Sequence, residues 1–125
     1  MMSQSSSLRG KRVLVVEDEF LVALDIEAEL EDCGASVVCA STLAQARAEA
    51  ENDAFDAVVL DLNLHGEPSY PVADLLHERR VPFLFHTGQG EKALLTRRYP
   101  GVTVCSKPCD GRSLASSLGR VMGMI

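Results

Sequence analysis

Between residues 11 and 122 the chain alternates between two hydrophobic rhythms: short unbroken apolar runs, and longer stretches whose apolar residues recur every three or four positions. Val13-Leu14-Val15-Val16 is the first run. The most informative is Ala57-Val58-Val59-Leu60-Asp61, four apolar residues closed abruptly by a carboxylate. Runs of this kind between helical stretches predict strands covered on both faces, as in a parallel sheet. Ser36 to Ala40, Val81-Pro82-Phe83-Leu84-Phe85 and Val102-Thr103-Val104-Cys105 supply three more, Pro82 being tolerated at a strand's first positions.

The helical rhythm fills the intervals. Phe20 to Cys33 places Leu21, Leu24, Ile26, Ala28 and Leu30 near helical spacing, with Gly34 as a natural stop. Ser41-Thr42 can cap an alanine-rich helix from Leu43 to about Asn52. The stretch from Leu62 to Pro68 reads as a loop, and a helix follows from Tyr70 or Pro71 to Arg79. Glu91 to Arg98 predicts a short helix, and Asp110 caps an amphipathic one through Leu114, Leu118 and Val121.

Five β-α units with right-handed crossovers predict an α/β fold: a doubly wound, five-stranded parallel sheet of order 2-1-3-4-5, flavodoxin-like, with helices on both faces. In that order strands one and three are neighbours, and ligands bind at the crevice beside their carboxyl ends. Strand one ends in Glu17-Asp18 and strand three in Asp61.

A length of 125 residues bounds this to one domain, expected over residues 11–125, with residues 1–10 as a flexible polar tail lacking the apolar core of a signal peptide. No apolar run approaches the roughly 20 residues needed to span a bilayer, so a cytoplasmic protein without membrane contact is expected. The net charge of −6 argues against direct nucleic-acid binding. Cys33, Cys39, Cys105 and Cys109 have no paired CxxC spacing and read as packing residues rather than a zinc site. His77 and the pairs Arg79-Arg80 and Arg97-Arg98 read as solvated helix surface, His65 as a solvated loop residue, and His86 as a packed one.

The predicted topology gathers Glu17, Asp18, Asp61, Thr87 and Lys107 at one rim, each at or just past the end of a strand. Carboxylates about 4 Å apart repel by up to ~4 kcal/mol at a protein-surface dielectric, so the cluster calls for a cation. Hard oxygen ligands suit Mg²⁺. A carboxylate nucleophile at Asp61, flanked by Mg²⁺, the Lys107 ammonium and the Thr87 hydroxyl, makes a phosphoryl-transfer site built on charge stabilisation.

Val13-Leu14-Val15-Val16-Glu17-Asp18-Glu19, Leu60-Asp61-Leu62-Asn63, Thr87-Gly88 and Lys107-Pro108 resemble, in order and spacing, the receiver domain of two-component response regulators. The resemblance implies that Asp61 is the phosphoacceptor and Asp18 a direct Mg²⁺ ligand, with Glu17 acting through water and the Asn63 backbone carbonyl completing the protein ligands. It implies that Thr87 and Lys107 bind the phosphoryl group and that the Lys107-Pro108 bond is cis. The implied donor is a sensor histidine kinase or phosphotransfer protein. The implied output is a downstream protein or a dimer partner on the face of the fourth helix, fifth strand and fifth helix. As no output domain follows Ile125 in this sequence, a stand-alone receiver is expected.

Two departures stand out. Receivers usually carry an aromatic three residues before the lysine, and here that place is Val104. The Phe85-His86-Thr87-Gly88-Gln89-Gly90 stretch partly resembles the signature of FAT GUY single-domain receivers, matching at Phe85, Thr87 and Gly88. Without the aromatic rotor, the segment after Thr87 is expected to reorder on phosphorylation. Asn63 and Gln89 lie two positions after the acceptor and the threonine, where amides imply autodephosphorylation that is neither blocked nor strongly assisted. Two other readings are a Mg²⁺-dependent phosphohydrolase with an Asp nucleophile and a degenerate receiver used as a scaffold. In enzymes of the haloacid-dehalogenase type a second Asp follows the nucleophile by two residues as acid/base, and Asn63 stands there instead.

Overall fold

The computed structural model describes residues 7–88 and 90–124. Five strands form one parallel sheet: β1 (Arg12–Val16), β2 (Ser36–Ala40), β3 (Ala57–Leu60), β4 (Phe83–Thr87) and β5 (Thr103–Ser106). Their spatial order is β2-β1-β3-β4-β5, the doubly wound topology read from the sequence. The helices are α1 (Phe20–Asp32), α2 (Leu43–Asn52), α3 (Tyr70–Glu78), α4 (Lys92–Arg98) and α5 (Gly111–Val121). None is long and apolar enough to cross a membrane.

The unbroken apolar runs divide their side chains between two cores by the strand's period of two. Leu14, Val16, Val58, Leu60 and Phe85 pack with Ala46, Val72, Leu76 and Leu95 of α2, α3 and α4. Val13, Val15, Val59 and Leu84 pack with Ile26 and Leu30 of α1 and Leu114 and Leu118 of α5. Thr42 caps α2 by accepting from the Gln45 N–H, an arrangement worth ~1 kcal/mol. Asp110 does the same for α5 through Ser113.

Four expectations are corrected. Leu8, placed in the flexible tail, is 1% exposed within the α1/α5 core, and its N–H donates to the Cys33 carbonyl at 2.7 Å. The chain there passes so close to Gly34 that a Cβ at that left-handed glycine would lie 2.9 Å from the Arg9 Cα. The ordered domain therefore begins before residue 11, while Met1 to Ser6 lie outside the described residues.

The buried face of α1 is Ala23, Ile26 and Leu30; Leu21 and Leu24 point outward with Phe20. Strand β4 starts at Phe83, two residues later than expected, and runs to Thr87. Pro82 has no N–H for the ladder, although its carbonyl accepts from Val58 N. Cys39 is exposed on the edge strand β2 rather than packed.

The loop after β3 contains structure of its own. Asn63–Leu64 and Glu67–Pro68 pair antiparallel around His65-Gly66. Both turn residues have positive φ, 51° and 85°, as a two-residue type I′ turn requires.

Candidate functional site

Parallel strands point their carboxyl ends to one rim, and the register decides which residues meet there. Val16 is level with Leu60, so Glu17 and Asp61 emerge side by side. Thr87 is level with Ser106, which brings Lys107 next to it; the Lys107 N–H donates to the Thr87 carbonyl at 2.6 Å. One oxygen from each of Glu17, Asp18 and Asp61 lies within 4.8 Å of the other two. Among the described residues this is the one cluster of acidic, His or Cys side chains placed to hold a metal.

Lys107 enters this cluster. Its ammonium lies 3.0 Å from Asp61 Oδ2, 3.1 Å from Glu17 Oε1 and 3.9 Å from Glu19 Oε1. Burial alone lowers the Lys107 pKa, but the hydrogen bond it donates to Asp61 and the charges of Asp61 and Glu17 outweigh it and hold the group above its ordinary value. Burial first, and the Asp61 charge second, push the Glu17 carboxyl up to about 7 against the pull of Lys107.

The geometry fits a divalent cation. Asp61 and Glu17 are 5% and 2% exposed, two carboxylates with one ammonium between them. Glu17 Oε1 is near that ammonium but off-angle, so Oε2, at 3.3 Å, takes the hydrogen bond and Oε1 is buried without one. A hard cation supplies the charge and the lone-pair partner that this oxygen set lacks. Glu17, Asp18 and Asp61 would hold it.

The remaining expected residues fall around this centre. The Asn63 N–H is 3.4 Å from Asp61 Oδ1, at the start of the hairpin. Thr87 ends β4, buried at the rim. The Lys107-Pro108 bond is cis. Val104 is half-buried against the α2/α3/α4 core. His77 is exposed and His86 buried, as expected. Gln89 lies outside the described residues.

Two residues outside the expected set also reach the site's acids. His65, read as a solvated loop residue, is exposed at its ring, but its N–H donates to Asp18 Oδ2 at 2.8 Å. Ser69 is fully buried, and its hydroxyl donates to the Asp61 carbonyl at 2.6 Å. A His-Gly pair four residues past an acidic strand end signals a turn. Where its N–H points depends on the hairpin's packing, which no local pattern specifies.

The response regulator receiver domain model matches residues 13–118, and the chain belongs to that family. It is a receiver domain of two-component response regulators. The chain is similar to SdrG from Sphingomonas melonis Fr1, at 36% identity over 97% of this chain and 99% of that one, with a TM-score of 0.77. It is also similar to the non-phosphorylated HemR receiver domain from Leptospira biflexa, at 28% identity over 92% and 96%, TM-score 0.79. A third similar structure is the receiver domain of the sensor histidine kinase PA1611 from Pseudomonas aeruginosa PAO1, at 28% identity over 91% and 98%, TM-score 0.78. That receiver has a magnesium ion coordinated in its active-site cleft. Comparison with curated proteins gives no match.

Proposed function

We propose that this receiver takes a phosphoryl group from the phosphohistidine of a sensor histidine kinase or phosphotransfer protein onto Asp61. The observation that carries the reading is Asp61 itself: a nearly buried carboxylate, 3.0 Å from an ammonium and within 4.8 Å of oxygens from two further acids. An Asp61 oxygen attacks phosphorus, the P–N bond of the donor breaks, and an acyl phosphate forms. Lys107 and the Thr87 hydroxyl then bind the phosphoryl oxygens, so the ammonium that pairs with Asp61 in the resting chain passes to its product. Asp18, Asp61 and the Asn63 carbonyl, with Glu17 through water, would hold Mg²⁺, which would supply positive charge against the charge that builds on the transferred group.

Phe20, Leu21 and Leu24 are exposed on the first turns of α1, directly after the acidic turn. This apolar rim beside the acceptor is a surface for the incoming donor protein. Output runs through the face of α4, β5 and α5, where Leu94 is exposed. With Val104 in place of an aromatic rotor, reordering of the segment that includes the seven-residue α4 carries the signal. Slow hydrolysis of the acyl phosphate, with Asn63 two positions after the acceptor, resets it. The chain acts in the cytoplasm, where such kinases present their phosphohistidine.

Incubation with acetyl phosphate and Mg²⁺ tests the reading. The expected product is one acid-stable, base-labile phosphoryl adduct per chain, absent in Asp61→Asn. Multiple turnover of phosphate esters would instead make this a hydrolase, and no adduct at all would make it a scaffold. The hydrolase reading lacks its proton donor, since Asn63 stands where an acid is needed.

A further inference from the structure

Ser69 occupies the N-cap position of α3, where a serine side chain ordinarily accepts a hydrogen bond from the helix's first turn. Here it makes no such bond. The hydroxyl donates instead to the Asp61 carbonyl at 2.6 Å, and the Ser69 N–H donates to the Leu62 carbonyl at 2.7 Å. A residue that leaves its local role unfilled in favour of a contact at the site marks a functional constraint.

Asp61 needs such a contact. It lies one residue beyond β3, whose pairing with β4 ends at Leu60 and Phe85. Its N–H is fixed by the Val16 carbonyl at 3.0 Å, and Ser69 fixes its carbonyl from the other side. Both backbone groups of the acceptor are thereby pinned. The same hairpin holds the neighbouring acid: buried Leu62 and Leu64 anchor it in the core, and the left-handed His65 aims its N–H at Asp18 Oδ2.

We infer that Ser69 is a positioning residue for phosphoryl transfer, locking the Asp61 main chain and, through the hairpin it closes, the placing of Asp61 relative to Asp18. The inference rests on Asp61 being the acceptor. Misplacement of a reacting group by about 1 Å costs up to ~10²-fold in rate, so a partly released carbonyl should cost about tenfold.

The test compares wild type, Ser69→Ala, Ser69→Cys and Ser69→Thr with acetyl phosphate at saturating Mg²⁺, at temperatures where thermal unfolding shows each chain folded. Ser69→Ala should lose about tenfold in the maximal phosphorylation rate, with the half-saturating acetyl phosphate concentration unchanged, and its Asp61 carbonyl ¹³C signal should move upfield. Ser69→Thr, which keeps the hydroxyl, should recover most of the rate. Should Ser69→Ala not fold, Ser69→Cys, close in volume and a weak donor, should show the same loss. A wild-type maximal rate in folded Ser69→Ala or Ser69→Cys would overturn the inference and leave Asp61 as acceptor. No adduct on the wild-type chain would remove the acceptor reading and this inference with it.

Discussion

The ammonium of Lys107 stands 3.0 Å from Oδ2 of Asp61 across 46 positions of sequence. That ammonium also faces Glu17, so it is the positive charge shared by the two most buried acids of the rim. On the proposed mechanism it follows the negative charge from the carboxylate to the phosphoryl oxygens. Lys107→Ala is therefore expected to lower the acetyl phosphate reaction rate by about 10²-fold or more, the scale seen when one preorganised charge-stabilising donor is removed. A rate within a factor of two of wild type would mean that Lys107 serves only the resting ion pair.

Magnesium should stabilise the folded chain through the three acids. A ligand at a hundred times its dissociation constant adds about 2.7 kcal/mol when it binds the native state alone. Thermal unfolding of wild type should shift upward with added Mg²⁺, and Asp18→Asn should lose most of that shift. Equal shifts in both proteins would place the ion elsewhere.

Leu8 belongs to the buried cluster that includes Val13, Leu30 and the α5 leucines rather than lying in a tail. Leu8→Ala should cost roughly 2–4 kcal/mol in chemical denaturation, the range for a buried leucine whose site collapses only partly. A cost below half a kcal/mol would restore the boundary at residue 11.

His86 is 3% exposed, and among the described residues neither ring nitrogen has a hydrogen-bond partner. Burial first, and the Lys107 charge second, hold its pKa below the ordinary 6.5. The unfolded chain takes up a proton near 6.5 while the folded chain resists it. The unfolded state binds more protons in that window, so this residue's contribution to stability is lost as pH falls below 6.5. The unfolding free energy of wild type relative to His86→Ala should therefore drop from neutral to mildly acidic pH. A difference independent of pH would contradict the buried, unpartnered imidazole.

Much of this fold is legible because the strands centre on short apolar runs, unbroken in Val13 to Val16 and Ala57 to Leu60, and the helices between them repeat at a longer period. The acid at the end of β3 and the lysine at the end of β5 are legible as partners once the strand order is known, since parallel strands present the same ends to one rim. Leu8 was hidden because a single apolar residue among serines and basic residues carries no periodicity. The outward turn of Leu21 and Leu24 was hidden because five apolar positions on α1 fit more than one helical face, and only the sheet selects Ala23, Ile26 and Leu30. Ser69 was hidden for a different reason. Its hydroxyl reaches Asp61 through a tertiary choice made by the hairpin between them, which no local pattern around Tyr70-Pro71 records.

The acceptor's identity is the claim on which the rest depends, and its chemistry can be read directly. Borohydride reduces an aspartyl phosphate to homoserine, so the chain treated with acetyl phosphate and Mg²⁺, reduced and digested, reports the modified position by mass spectrometry. The account predicts homoserine at residue 61 in wild type and none in Asp61→Asn. Homoserine at another aspartate, or a phosphoryl group that survives in Asp61→Asn, would contradict it.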